Sequence, residues 1–311
     1  MSASVPERQL GKNGPKVSAI GFGAMGLSAF YGTPAPDEDR FKVLDRAIEL
    51  GKLIGKYFKK YPQQRQKVFL ATKFANVFLP DGTATVRGDA AYVRESIEKS
   101  LKRLQLPYVD LYYVHRIDPK VPIEETMAVL KEYVDQGKIK YIGLSECSTD
   151  TIRRAYKIHP ITAVQVEYSP FSLDIEREEI GVLKTCRELG IAIVCYSPLG
   201  RGMLTGQYKS SDDFEENDFL ENLQKIAEKK SCTTGQLTLA WILAQGEDFF
   251  VIPGTTKIKN LEENAATSQV KLTKEEINEI RQACENADTA GERYTKEHSK
   301  NLFGDSAPKK N

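Results

Sequence analysis

No stretch of about 18 consecutive apolar residues occurs in the sequence, so a membrane-spanning helix is not expected. The opening residues, MSASVPERQLGKNG, contain no apolar core of signal-peptide length. Cysteine is scarce. Cys147, Cys186, Cys195, Cys232 and Cys284 are scattered, odd in number and free of CxxC spacing, which argues against a disulfide framework and suits a reducing compartment. The formal net charge is +1, so there is no excess charge for bulk attraction to nucleic acid or an anionic membrane. No cluster of His, Cys and carboxylates has metal-ligand spacing, and no metal is expected. The reading is a cytoplasmic (cytosolic or nuclear) soluble protein with small-molecule partners, in which any anion site must be local.

What is present is alternation. Hydrophobic residues make up 41% and charged residues 28% of the 311, ordinary for a soluble protein able to bury a large core. Strands are expected at 17–23 (VSAIGFG), 68–74, 109–114, 141–145, 163–168, 191–197 and 249–253, each apolar on both faces. Helices are expected at 37–50, 90–106, 123–136, 149–157, 177–189, 220–229, 235–244, 258–266 and 274–287. Asn13-Gly14 signals a hairpin before the first strand. This rhythm fits one α/β domain over residues 1–311, a (β/α)8 TIM barrel with an N-terminal β-hairpin and a polar tail at 288–311. A doubly wound open sheet is the alternative. Against it, the first βα turn, GFGAMG, lacks the GxGxxG dinucleotide spacing.

Seven strands are found where a closed barrel needs eight. Helix Asp37–Leu50 runs through Gly51 straight into Lys52–Tyr61 (KLIGKYFKKY), also helical in pattern. A second strand and its loop should separate them, because closure fails without one. The passage from an acidic loop into helix at Asn217-Asp218-Phe219-Leu220 is similarly abrupt. Either the protein exists without the strand or residues are missing between Gly51 and Lys52. The second explanation is favoured, and it predicts a Cα separation there far above the roughly 3.8 Å of a trans peptide.

Six segments carry a resemblance: ATKF (Ala71–Phe74), VDLYYVHRID (Val109–Asp118), GLSE (Gly143–Glu146), AVQVEYSPF (Ala163–Phe171), YSPLGRGMLTG (Tyr196–Gly206) and IPGTTKIKNLEEN (Ile252–Asn264). Together, and in this order, they resemble the aldo-keto reductase family over nearly the whole chain. HRIDPKVPIEETM resembles its fungal and plant branch.

The resemblance implies carbonyl reduction by hydride from NADP(H), with four side chains at the C-terminal mouth of the barrel. Tyrosine is the acid, lysine acidifies it, aspartate holds the lysine and histidine orients the carbonyl. By resemblance Lys73 is the lysine and His115 the histidine. The aspartate and tyrosine belong to the missing second strand and its loop, so neither is assigned. Tyr112 and Tyr113 read as barrel core and wall. His159 and His298 read as structural or solvated.

For the cofactor, the resemblance implies that Tyr196 stacks on nicotinamide while Ser145 and Gln165 bond its carboxamide. Gly23, Ala24 and Met25 close that side. Small residues after one strand, Ser197, Pro198, Leu199, Gly200, Arg201 and Gly202, allow backbone to approach a pyrophosphate. Gly254, Thr256, Lys257 and Asn260 are expected at the adenosine phosphate, with Glu263 and Asn264 at adenine. Lys257 favours NADPH over NADH. Three readings compete: a general aldehyde and ketone reductase, a pyridoxal reductase, and a catalytically weak nicotinamide-binding regulatory subunit. The substrate is expected to be a small carbonyl compound. Oligomeric state is not legible.

Overall fold

A computed structural model describes residues 5–24, 43, 55–79, 83–205, 218–286 and 302–309. The chain opens with the expected hairpin: β1 (Glu7–Gln9) pairs antiparallel with β2 (Lys16–Ser18). Six parallel strands follow: β3 (Ala71–Phe74), β6 (Val109–Val114), β7 (Ile139–Ser145), β8 (Ile161–Glu167), β9 (Ala192–Tyr196) and β10 (Phe249–Val251). They lie side by side in order of sequence, as successive βα units require. A second antiparallel hairpin, β4 (Asn76–Phe78) with β5 (Ala84–Val86), interrupts the rhythm after β3, between the expected strand at 68–74 and helix at 90–106.

The sheet continues past β10. Ile20 bridges in parallel to Val251 and Gly23 to Gly254, so the first-strand segment lies beside the last strand. Among the described residues no strand lies between that segment and the outer edge of β3, where the missing second strand belongs. Gly51, Lys52 and the expected helix Asp37–Leu50 lie outside the described residues, apart from the buried, helical Val43.

Nine helices are described: α1 (Gly55–Lys60), α2 (Ala90–Leu104), α3 (Ile123–Asp135), α4 (Thr149–Ile158), α5 (Val182–Leu189), α6 (Asp218–Lys229), α7 (Thr234–Leu243), α8 (Ile258–Ala266) and α9 (Lys274–Asn286). Their starts have local causes. Asp89 accepts the Tyr92 N–H at 3.0 Å ahead of α2, and Ser148 accepts that of Thr151 at 3.2 Å ahead of α4. Thr233 and Gln236 form a capping box on α7. One expectation is corrected. The helix read over Arg177–Leu189 begins only at Val182, because Gly181 turns through φ +61° and resets the chain.

Side-chain alternation splits the apolar residues into two cores. Leu111, Tyr113, Ala163, Ala192, Val194 and Phe250 face the barrel interior, joined by Leu10 and Val17 from the hairpin. Tyr112, Val114, Ile142, Leu144, Val164, Val166, Ile193 and Cys195 face outward, under the helices. Adjacent Tyr112 and Tyr113 therefore belong to different layers: core and wall, as expected. Part of the tail is ordered by hydrogen bonds. Gly304 bridges to Cys147 and Ala307 to Pro122, while Arg154 donates to the Ala307 carbonyl at 2.7 Å. Among the described residues no helix is long and apolar enough to cross a membrane.

Candidate active site

Strand register places the site. Lys73 pairs with Tyr113, and Tyr113 with Gly143, so these three share one inward row. A Cβ on Gly143 would press into the Tyr113 ring, so glycine makes room for that phenol. The next inward row holds Ser145 and Gln165, which pair with each other, and above it lies the pair Glu167 and Tyr196. His115 follows β6 directly, its N–H donating to the Phe74 carbonyl at 2.8 Å. Lys73 and His115 thus end adjacent strands at the C-terminal mouth, where barrel chemistry resides.

Their electrostatics follow from burial. Desolvation, reinforced by the nearby Arg116 guanidinium, brings the Lys73 ammonium down to about 8. Desolvation, then Lys73 and Arg116, brings His115 down to about 3, so its imidazole is neutral at ordinary pH. Asn76 Nδ2 lies 3.2 Å from His115 Nδ1. An amide nitrogen only donates, so Nδ1 accepts and Nε2 carries the proton, free to donate to a ligand oxygen. Arg116 donates to the His115 carbonyl at 2.8 Å and reaches Ser145 Oγ at 3.5 Å. Sequence reasoning missed Asn76 and Arg116. The one signal for Arg116 was its place beside His115 in HRID.

No carboxylate among the described residues forms an ion pair with Lys73. Its neighbour in register, Tyr113, is fully buried and bonded to Gln165, and burial pushes its phenol well above the usual range. It is not an acid for a ligand at the mouth.

Gln165 is 4% exposed, yet its Oε1 has no hydrogen-bond partner among the described residues. A buried amide oxygen left unmade costs about 1–3 kcal/mol, so it points to a donor supplied from outside the chain. Ser145, 1% exposed, stands beside it. Three strand ends around this rim turn through left-handed backbone without glycine: Ala75 at φ 99°, Glu146 at 49° and Ser197 at 48°.

The remaining expected residues form an arc. Gly23 and Gly254 meet backbone to backbone, where a Cβ on Gly23 would come within 2.6 Å of the Ile252 carbonyl oxygen and one on Gly254 within 2.8 Å of that of Gly23. Ala24 follows Gly23, while Met25 lies outside the described residues. After Ser197, Pro198 is buried, Leu199 half-buried, and Gly200–Thr205 form a 3-10 turn containing Arg201 and Gly202, whose Arg201 side chain is outside the described part. Thr256 and Lys257 are exposed, and Lys257 occupies the N-cap of α8 with no side chain capping it. Asn260 is half-buried and Asn264 buried, while Glu263 accepts the Thr233 hydroxyl at 2.7 Å.

Comparison with known proteins agrees with this architecture. Residues 19–285 match the aldo/keto reductase family. Aldo-keto reductase str7 of Strobilurus tenacellus is 48% identical over 326 aligned positions, covering 93% of this chain and 95% of that protein. Aldo-keto reductase yakc [NADP(+)] of Schizosaccharomyces pombe is 46% identical over 340 positions, covering 98% and 99%. That alignment is longer than the 311-residue chain, so the relative carries residues with no counterpart here. A crystal structure of the thermostable aldo-keto reductase Tm1743 in complex with the inhibitor epalrestat superposes with a TM-score of 0.72 at 28% identity, covering 89% of this chain and 99% of that one. The chain belongs to the aldo/keto reductase family.

Proposed function

We propose that the chain acts as one barrel domain that reduces aldehydes or ketones with NADPH. The observation that carries the reading is the orphaned Gln165 Oε1, buried next to Ser145 below Tyr196 on the rim that holds Lys73 and His115. A carboxamide NH2 is the donor that Oε1 lacks, and the bound dinucleotide supplies the hydride. His115 donates from Nε2 to the carbonyl oxygen and orients it, and the charged fraction of Lys73 favours negative charge there. The uncapped start of α8 and the exposed Lys257 suit an adenosine 2′-phosphate, and the fission yeast relative carries NADP(+) in its name.

The proton donor is the weak point. No tyrosine placed to serve as acid accompanies Lys73 among the described residues, and general acid catalysis commonly contributes about 10²–10⁴-fold. If the protein has no such acid, turnover is slow. The same lack supports a second reading, a nicotinamide-binding regulatory subunit. The VPIE stretch after His115 keeps pyridoxal among the candidate substrates.

Loss of NADPH absorbance with 4-nitrobenzaldehyde and then with pyridoxal tests the reductase. Consumption with either supports it, and the faster substrate separates the two variants. Tight NADPH binding without consumption leaves the regulatory reading. In the same assay Lys257→Ala should raise KM for NADPH about tenfold and leave that for NADH alone, and an unchanged preference removes Lys257 from the account.

A further inference from the structure

Glu146 places a polar carboxyl group where burial penalises it. It is 0% exposed, and it holds φ 49°, a region a glycine would enter without strain. Neither burial nor backbone shape asks for a carboxylate here. Its hydrogen bonds do. The Glu146 N–H donates to the Gln165 carbonyl at 3.1 Å, and the Glu146 carbonyl accepts the Gly304 N–H at 2.9 Å. Carboxylate Oε1 accepts the Glu167 N–H at 3.0 Å and the Tyr196 hydroxyl at 2.9 Å. One residue therefore ties the ends of β7, β8 and β9 together and fixes the far end of the Tyr196 side chain, while Ser197 at φ 48° fixes its backbone end.

We propose that Glu146 is a positioning residue that locks the Tyr196 ring at the angle at which it packs against a nicotinamide. This rests on the reading of Tyr196 as the nicotinamide platform. An acceptor oxygen already fixed by the Glu167 N–H cannot swing with the phenol, which suits it to holding the ring against thermal rotation. The bond does no chemistry. It removes ring freedom before the cofactor arrives, so its loss weakens binding without removing a contact to the ligand.

The test is a double-mutant cycle on NADPH binding, followed by the fluorescence of the bound reduced nicotinamide, with melting temperatures recorded alongside. Tyr196→Phe keeps the ring and removes the hydroxyl; Glu146→Leu keeps the volume and removes the acceptor. Each should raise Kd about tenfold, the scale of one bond of roughly 1.4 kcal/mol, and shift the emission of bound NADPH. The double variant should be no worse than the weaker-binding single one, and Glu146→Gln, which keeps an acceptor, should restore most of the affinity. Effects that multiply, or a Tyr196→Phe protein with unaltered Kd and emission, overturn the proposal. Should Glu146→Leu fail to fold, Tyr196→Phe still decides it: a raised Kd with shifted emission supports the proposal, and unaltered Kd and emission overturn it. A wild-type protein that binds no NADPH refutes the cofactor reading and this one with it, whereas normal wild-type binding with multiplying effects removes Glu146 alone.

Discussion

A lysine ammonium taken from water into the mouth of a barrel loses solvation that only a counter-charge can replace. Lys73 has none among the described residues, and its value falls from the ordinary 10.5 to about 8. Between those values the unfolded chain holds a proton that the folded chain has released, so stability rises with pH across that window. Below pH 8 the penalty is complete, on the order of 3 kcal/mol. Lys73→Met should therefore raise the urea midpoint at pH 7, and the gain should shrink towards zero by about pH 10.5. A gain independent of pH would assign it to packing instead. Lys73 and His115 were legible because each ends an apolar strand within a family-like motif. Asn76 and Glu146 were not, since each matters through a partner brought near only by strand pairing, and Arg116 reaches Ser145 only across β6 and β7.

Between elements, the α3–α4 contact combines two kinds of tie. Arg154 on α4 makes a bidentate pair with Glu124 on α3, at 2.9 and 2.7 Å, and also holds the Ala307 carbonyl. Both side chains of the pair are mostly buried, at 16% and 17% exposure. Arg153 pairs with Glu188 one residue earlier, at 45% and 43%. Desolvation separates them: Arg154→Ala should cost about 2 kcal/mol in chemical denaturation, and Arg153→Ala less than about 1. Equal losses would show that exposure does not govern these pairs. The strands and most helices were readable because each buries a continuous apolar face. The β4–β5 hairpin was not, having only three residues a side and no alternation strong enough to stand out. The start of α5 misled because ERE reads as helix until Gly181 breaks it.

At the scale of the molecule, the missing second strand was the most informative feature of the sequence. Counting strands exposed it, since a barrel's geometry fixes their number. Among the described residues no strand fills its place, and the Gly51–Lys52 junction lies outside them. The acid and its aspartate were not legible for the same reason: the resemblance implies that both belong to that segment.

The seam between the first strand and the last has an outcome for sequence space. Gly23 and Gly254 each face a main-chain oxygen. In a library of random double substitutions, neither position should acquire a compensating partner, because no exchange elsewhere can trim a peptide carbonyl. Gly143 differs, for its obstacle is the Tyr113 ring, and Gly143→Ala should be partly rescued by a smaller residue at 113. Selecting such a library for soluble expression would reveal the contrast as two solitary columns and one correlated pair. A compensated Gly23 or Gly254 would mean that the seam can part.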